Sequence, residues 1–264
     1  MRADIYTKKN YFCFMLKQLF VSVGEYVLLM GKALRKPQKR NVYLKLLVRE
    51  FYDLGVNSFG LVLFTSFFVG AVVSIQMYNN FSASSFPIPN SFIGYATKAV
   101  LILEFSPTII SVILAGKVGS YIASSIGTMR VTEQIDALDI MGVNSSNFLI
   151  LPKIIASVVF NPLLIAISIV VGIIGGYVTG IATGNWTKAD YITGVQMYMP
   201  TYFIWYAFVK TAAFAFLIAT IPAYFGYNVK GGSLEVGRAS TQAVVWTMIA
   251  VIVMDLILTQ MLLS

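Results

Sequence analysis

The chain has 264 residues, of which 58% are hydrophobic and only 11% charged, and its formal net charge is +8. Soluble domains carry about 25% charged residues, so this composition excludes an ordinary water-soluble globule and points to a chain dissolved in a bilayer. The absence of histidine excludes His-based acid–base catalysis, Ser-His-Asp triads and His metal ligands, and a lone cysteine, Cys13, excludes an internal disulfide and a Cys/His metal set.

In chain order, residues 1–53 hold most of the basic charge and read as a cytoplasmic N-terminal region. Within it, Tyr11 to Met30 is apolar, but Gln18, Ser22 and Glu25 share a helical face with Lys17 beside them. That pattern predicts a helix lying in the membrane interface. It is too long and too weakly charged for a cleaved signal peptide, and no small-residue cleavage site follows. The membrane domain then occupies 54–264. A spanning helix needs roughly 20 apolar residues, and five runs qualify: Gly55 to Tyr78, Gly94 to Ile126, Ile154 to Thr183, Met199 to Phe225 and Gln242 to Leu263. The third is predicted to bend or break at Asn161-Pro162. Phe81 to Ser91, with Pro87 and Pro89, reads as a loop, and Gly184 to Asp190 as a polar turn. Continuous apolar runs exclude a transmembrane barrel, which shows short alternating segments. The fold class is all-α and polytopic.

Of the 19 basic residues, 11 precede Asp53, while the Phe81 to Ser91 loop and the tail after Arg238 have none. The positive-inside rule puts the N-terminus in the cytoplasm, and five spans put the C-terminus outside, in the periplasm if the membrane is a bacterial inner membrane. The net positive charge is accounted for by this topology and by anionic lipid heads; no basic-aromatic nucleic-acid module is visible.

Two rows of small residues recur every four positions, Ala115, Gly119, Ala123 and Gly127 in the second span, and Gly172, Gly176, Gly180 and Gly184 in and just beyond the third. Each row is a smooth face against which another helix can pack closely, either as static packing or as a surface that slides.

Between the second and third spans lies a polar segment, GTMRVTEQIDALDIMGV from Gly127. Thr132 is placed to cap a short helix with Glu133 and Asp136 in its first turn. Ile135, Leu138 and Met141 form an apolar edge, and Gly142 ends the helix. The result, over about 130–142, is an amphipathic cytoplasmic helix suited to a groove on a soluble partner.

The same segment, with LEFSPTIISVILAGKVGS from Leu103, LPKIIA from Leu151, VGIIGGYVTG from Val171 and GRASTQAVVWTMIAVIVMDLILT from Gly237, resembles the MlaE family of ABC-transporter permeases over about Leu46 to the C-terminus. The EQIDAL-x-x-MG core carries most of the specificity. The resemblance implies a non-catalytic homodimeric permease of the cell inner membrane that moves phospholipid or a related lipid. It further implies a separate ABC ATPase seated on the coupling helix, an MCE-domain lipid-binding protein on the outer side and, in many members, a small STAS-domain protein on the ATPase. The chain has no G-x-x-x-x-G-K-[ST] loop, since Gly116-Lys117 lacks the spacing and the following Ser/Thr; ATP and Mg are expected on the ATPase and no cofactor on this chain. Arg130, Glu133, Gln134, Asp136, Leu138 and Met141 are the expected ATPase-coupling residues.

Charges inside spans are expensive and usually face a cavity or a partner. Glu104 is the sharpest of them, one turn before Pro107. The resemblance places it near the lipid cavity, together with Gln76, Tyr78 and Leu103; members often carry arginine at the position of Leu103, so the head-group charge pairing of such members is not expected to carry over. A structural hydrogen-bonding role for Glu104 is the alternative. Lys210 and Asp255, in adjacent spans, are expected either to pair or to form a contact that changes between transport states. Arg238 opens the last helix from the cytoplasmic side. A rival function, a proton-coupled secondary transporter using Glu104 and Asp255, requires no ATPase; a non-transporting scaffold would tolerate the loss of both.

Overall fold

The computed structural model describes residues 21–34, 40–84 and 88–263. The predicted interfacial stretch before residue 21, with Cys13, Lys17 and Gln18, lies outside the described residues, as does Pro87. Helix α1 occupies 21–33 and packs on the bundle, where the Ala33 carbonyl accepts from Asn147 at 2.7 Å. Leu29, Met30 and Ala33 are buried, whereas Val21, Val23, Val27, Leu28 and Leu34 face outward. Its polar strip meets protein: Tyr26 donates to Thr220 Oγ1 at 2.7 Å, and Tyr224 donates to Glu25 at 3.0 Å. Burial pushes the Tyr26 phenol above its ordinary pKa, a rise the Thr220 contact opposes.

Among the described residues five helices are long and apolar enough to cross a membrane: α2 (Tyr43–Ser82), α3 (Ser91–Val131), α5 (Ser145–Thr183), α7 (Thr201–Tyr227) and α8 (Ser233–Leu262). Two short helices lie between them, α4 (Gln134–Ile140) and α6 (Lys188–Gln196). The protein is therefore a multi-pass, all-helical membrane protein. Alternation of the spans puts α1 and α4 at one end of the bundle and α6 at the other.

The helices outrun the apolar runs, for reasons that lie in side-chain partners. Helix α2 continues back through a π-helical turn at Phe51–Val56, so Asp53 does not end it. That carboxylate is met by Arg49 at 3.7 Å and accepts a hydrogen bond from Tyr121 at 3.0 Å. One turn earlier, Glu50 pairs with the nearly inaccessible Lys153 at 2.6 Å. Helix α5 corrects two expectations. It begins at Ser145, where Asn144 accepts from the Asn147 N–H at 3.2 Å, and it runs through Asn161-Pro162 without a break. Neighbouring helices can hold a proline-containing turn in place inside a membrane; here Phe160 packs on Phe51 with ring centroids 6.2 Å apart. The Gly184 to Asp190 turn is also shorter than expected: Thr187 accepts from the Asp190 N–H at 3.1 Å and starts α6.

One core cluster runs through the bundle, with Ile110, Leu114, Ile122, Ile126, Ile150, Leu164, Phe214 and Ile218 essentially inaccessible. A smaller one, around Ile93, Trp186 and Tyr191, closes the α6 end. The glycine rows lie at these contacts. A side chain at Gly176 would strike Ser74 and Tyr191, and one at Gly180 would strike Trp186. A Cβ at Gly172 would stand 3.0 Å from Leu101, at Gly119 3.2 Å from Pro222 and at Gly127 3.1 Å from Val236. Gly70 on α2 faces the Gly172 backbone so closely that no Cβ fits between them. Gly184 does something else: its φ of 69° terminates α5.

Candidate functional site

Helix α3 carries Glu104 on a π-helical turn, Leu101–Ile109, which also contains Pro107. A proline has no N–H to give the helix ladder, and π turns occur often at functional positions. Glu104 does not stand alone. Lys210 of α7 reaches Glu104 Oε2 at 2.7 Å and Asp255 Oδ1 of α8 at 2.6 Å, so one ammonium joins two carboxylates from three helices. Tyr206, one turn before Lys210, accepts from its Nζ at 2.9 Å and donates to Glu104 at 3.3 Å. Thr259, one turn after Asp255, accepts from Lys210 at 3.1 Å, and Thr108 donates to Asp255 at 3.1 Å. Leu103 enters through its carbonyl, which accepts from Lys210 at 3.3 Å.

Burial is unequal across this cluster. Lys210 is fully inaccessible, whereas the Glu104 side chain keeps 39% of its surface. The ammonium is held and its partner looks outward, an arrangement that leaves carboxylate oxygen for a further polar group. Sequence reasoning named the three charges but placed Glu104 apart from the other two, and it missed Tyr206 and Thr259. Their spacing of four from Lys210 and Asp255 was the available signal, because residues four apart share a helix face.

Gln76 and Tyr78 lie apart from the Lys210 cluster. Tyr78 packs on Trp186 with ring centroids 5.7 Å apart, in the small aromatic core at the α6 end, and Gln76 is exposed. Tyr191 of that core donates to the Ile173 carbonyl at 3.1 Å, and burial raises its pKa. Lys98 ties down the end of α6 by donating to the Val195 and Met197 carbonyls at 2.8 and 2.6 Å. An apolar hollow of about 190 Å³ lies among α3, α5 and α7, lined by Ile102, Pro162, Ile165, Ile169, Ile204 and Phe208 among others. None of Glu104, Leu103, Gln76 or Tyr78 lines it.

At the opposite end, α4 is shorter than expected and capped differently. Thr132 donates its hydroxyl to the Thr128 carbonyl and closes α3, while Glu133 takes the position before α4 with φ of 58°. Thr132 therefore does not cap this helix. Gly142, with φ of 74°, ends it; its N–H reaches the Asp139 carbonyl, and the Val143 N–H reaches that of Leu138. The expected apolar edge is divided. Ile135 is fully buried and Leu138 packs on the core, whereas Met141 is 67% exposed and Ile140, which sequence reasoning missed, is 87% exposed. Glu133, Gln134 and Asp136 are exposed beside them. Arg130 pairs with Asp136 at 2.6 Å. Among the described residues, no group of three or more His, Cys, Asp or Glu is placed to hold a metal.

A helical membrane bundle with a charge cluster joining three of its spans is expected to place those charges at a cavity or a partner. The family described as "Permease MlaE" matches residues 47–261, and this chain belongs to that family. It is 37% identical to a probable ABC transporter permease of Rickettsia typhi over 91% of this chain and 92% of that protein. It is 30% identical to the intermembrane phospholipid transport system permease MlaE of Haemophilus influenzae over 88% of each. A chloroplast protein of Arabidopsis thaliana, trigalactosyldiacylglycerol 1, is 28% identical over 87% of this chain and 65% of its own length.

Proposed function

We propose that this chain is the membrane subunit of an ABC transporter that moves phospholipid between a cell inner membrane and an MCE-domain lipid-binding partner. Energy comes from a separate ATPase that binds ATP and Mg, and this subunit performs no catalysis of its own. The observation that carries the proposal is α4 in a chain of this family. Ile140, the last residue of this short helix, and Met141, just after it, stand exposed, while Ile135 is buried and Leu138 partly buried against the core, with Glu133, Gln134 and Asp136 exposed around them. An exposed apolar pair with a polar rim fits a groove on a soluble protein. The name of the Haemophilus relative supports phospholipid as the cargo class.

In this reading the α4 end faces the cytoplasm with the N-terminus, in keeping with the 11 basic residues before Asp53, and the C-terminus lies in the periplasm. A homodimer is supported by α8, of whose apolar 18-residue stretch 11% is buried within one chain; Trp246, Ile249, Val253 and Leu256 are left for a second copy. A STAS-domain protein would bind through the ATPase. Glu104, accessible beside a buried ammonium, is the lipid-facing group.

The test is affinity purification of the chain from native membranes in mild detergent, with mass spectrometry of proteins and lipids. The expected result is an ATPase, an MCE-domain protein and bound phospholipid. A chain that purifies alone, under conditions that preserve other ABC complexes, overturns the proposal and favours the proton-coupled transporter. Glu133→Arg with Asp136→Arg releases the ATPase if α4 is its seat.

A further inference from the structure

Helix α4 is held to the bundle by a closed circuit of polar contacts, and a single residue of α7 takes part in it. Starting from α4, Asp136 pairs with Arg130 at the end of α3 at 2.6 Å. The Arg130 guanidinium lies over the Tyr227 ring, 5.9 Å from its centroid, within range of a cation–π contact. The Tyr227 hydroxyl shares a hydrogen bond with Ser145 Oγ at 2.9 Å. The Ser145 N–H donates to Asp139 at 3.3 Å, which returns the circuit to α4. Tyr227 and Leu138 of α4 each also pack on the main core.

Tyr227 is the last residue of α7, and α7 also carries Lys210 and Tyr206. Seventeen residues separate Tyr227 from Lys210, about 26 Å of helix at roughly 1.5 Å per residue. Between them Pro222 and Gly226 are set closely against Gly119 and Ala123 of α3. The Arg130–Asp136 pair is partly exposed, with 35% and 52% of the two side chains accessible, and a pair so exposed adds little stability. Its geometric effect is larger. Asp136 and Asp139 fix α4 against Arg130 and Ser145, and both of these partners converge on Tyr227.

We infer that Tyr227 is a positioning residue that passes displacement of α4 to α7 and so to the Lys210 cluster. The inference rests on the permease reading, with an ATPase seated on α4. A push on α4 changes where Arg130 and Ser145 stand, and Tyr227 holds the end of α7 to both. Packed side chains and hydrogen-bond networks of this kind can carry coupling between distant sites. The π turn at Leu101–Ile109 places Glu104 where a shift of Lys210 alters how much carboxylate is free.

The test is lipid moved per ATP hydrolysed, measured for the complete complex in phospholipid vesicles. Tyr227→Leu removes both the ring contact and the hydroxyl bond. The expected result is retained ATPase recruitment and hydrolysis, with transport per ATP reduced about threefold or more. Tyr227→Phe keeps the ring and should fall less. Transport and hydrolysis that decline together, with their ratio unchanged, would mark Tyr227 as structural only and overturn the inference. If Tyr227→Leu does not fold, the decisive variant is Tyr227→Phe with Ser145→Ala; a wild-type ratio there overturns the inference equally. A wild-type chain that recruits no ATPase refutes the permease reading instead, which separates the two failures.

Discussion

Lys210→Met removes the cation from the intramembrane cluster while nearly preserving side-chain length. Glu104 and Asp255 each lie within hydrogen-bond distance of the same ammonium, at 2.7 and 2.6 Å, so their carboxylates stand within about 5 Å of each other. At an effective dielectric constant of about 20, two like charges at that separation repel by about 3 kcal/mol. Removing one partner of a buried pair typically costs about 3–5 kcal/mol, and the 39% accessibility of Glu104 argues for the low end. For a chain of this length, about 3 kcal/mol corresponds to a Tm lower by about 6–12 °C. The assay is thermal unfolding in lipid nanodiscs at one fixed scan rate, because unfolding of large proteins is often irreversible. The triple variant Lys210→Met, Glu104→Gln, Asp255→Asn carries no uncompensated charge and should recover most of the loss. A shift below about 2 °C for the single variant, or a triple variant no better than the single, would refute the assignment of an energetically coupled cluster.

Three further outcomes are expected. Gly70→Ala forces a methyl group into the Gly172 backbone and should lower Tm by several degrees, as overpacking costs about 1–3 kcal/mol. Gly60→Ala, on the same helix with nothing within 4 Å, should raise it slightly; equal effects would refute close α2–α5 packing. Glu133→Gly relieves a positive φ that costs an ordinary residue about 1–2 kcal/mol, so Tm should hold or rise, whereas Glu133→Val should lower it. A cysteine replacing the highly exposed Tyr198 should react with impermeant reagent from outside the cell, and one replacing Ile140 only after lysis; the reverse pattern would invert the proposed orientation.

The five spans were legible in sequence because apolar length is a direct consequence of bilayer thickness, and the charges before Asp53 did not obscure them. Their ends were less so. Asp53 reads as a stop only until Tyr121, 68 residues away, is seen to satisfy it. Thr132 had the chemistry of a cap but spends its hydroxyl on the preceding helix, and choosing between two helices for one side chain requires the tertiary fold. Thr187 and Asp190 carried a helix-start signal that the surrounding polar residues disguised. In the candidate site, Lys210 and Asp255 stood out as costly charges, but nothing local draws Glu104 to them across more than 100 residues. The exposure of Ile140 was equally hidden, since helical spacing names faces without saying which one meets the core.

The Lys210 cluster also has a bearing on how the chain enters the membrane. A lysine near the middle of a span raises insertion cost by about 2.5–3.5 kcal/mol, and α7 is the least apolar of the five spans, with a mean hydropathy of 1.7 against 2.0–2.6 for the others. Glu104 is synthesised more than 100 residues earlier and Asp255 only 45 residues later, so the ammonium has one acidic partner waiting in the bilayer when it arrives and gains the second as α8 follows. Helix α7 should therefore gain from a helix already inserted. Expressed without α3, it should be found increasingly on the wrong side of the translocation machinery, which glycosylation tagging of each flank would measure.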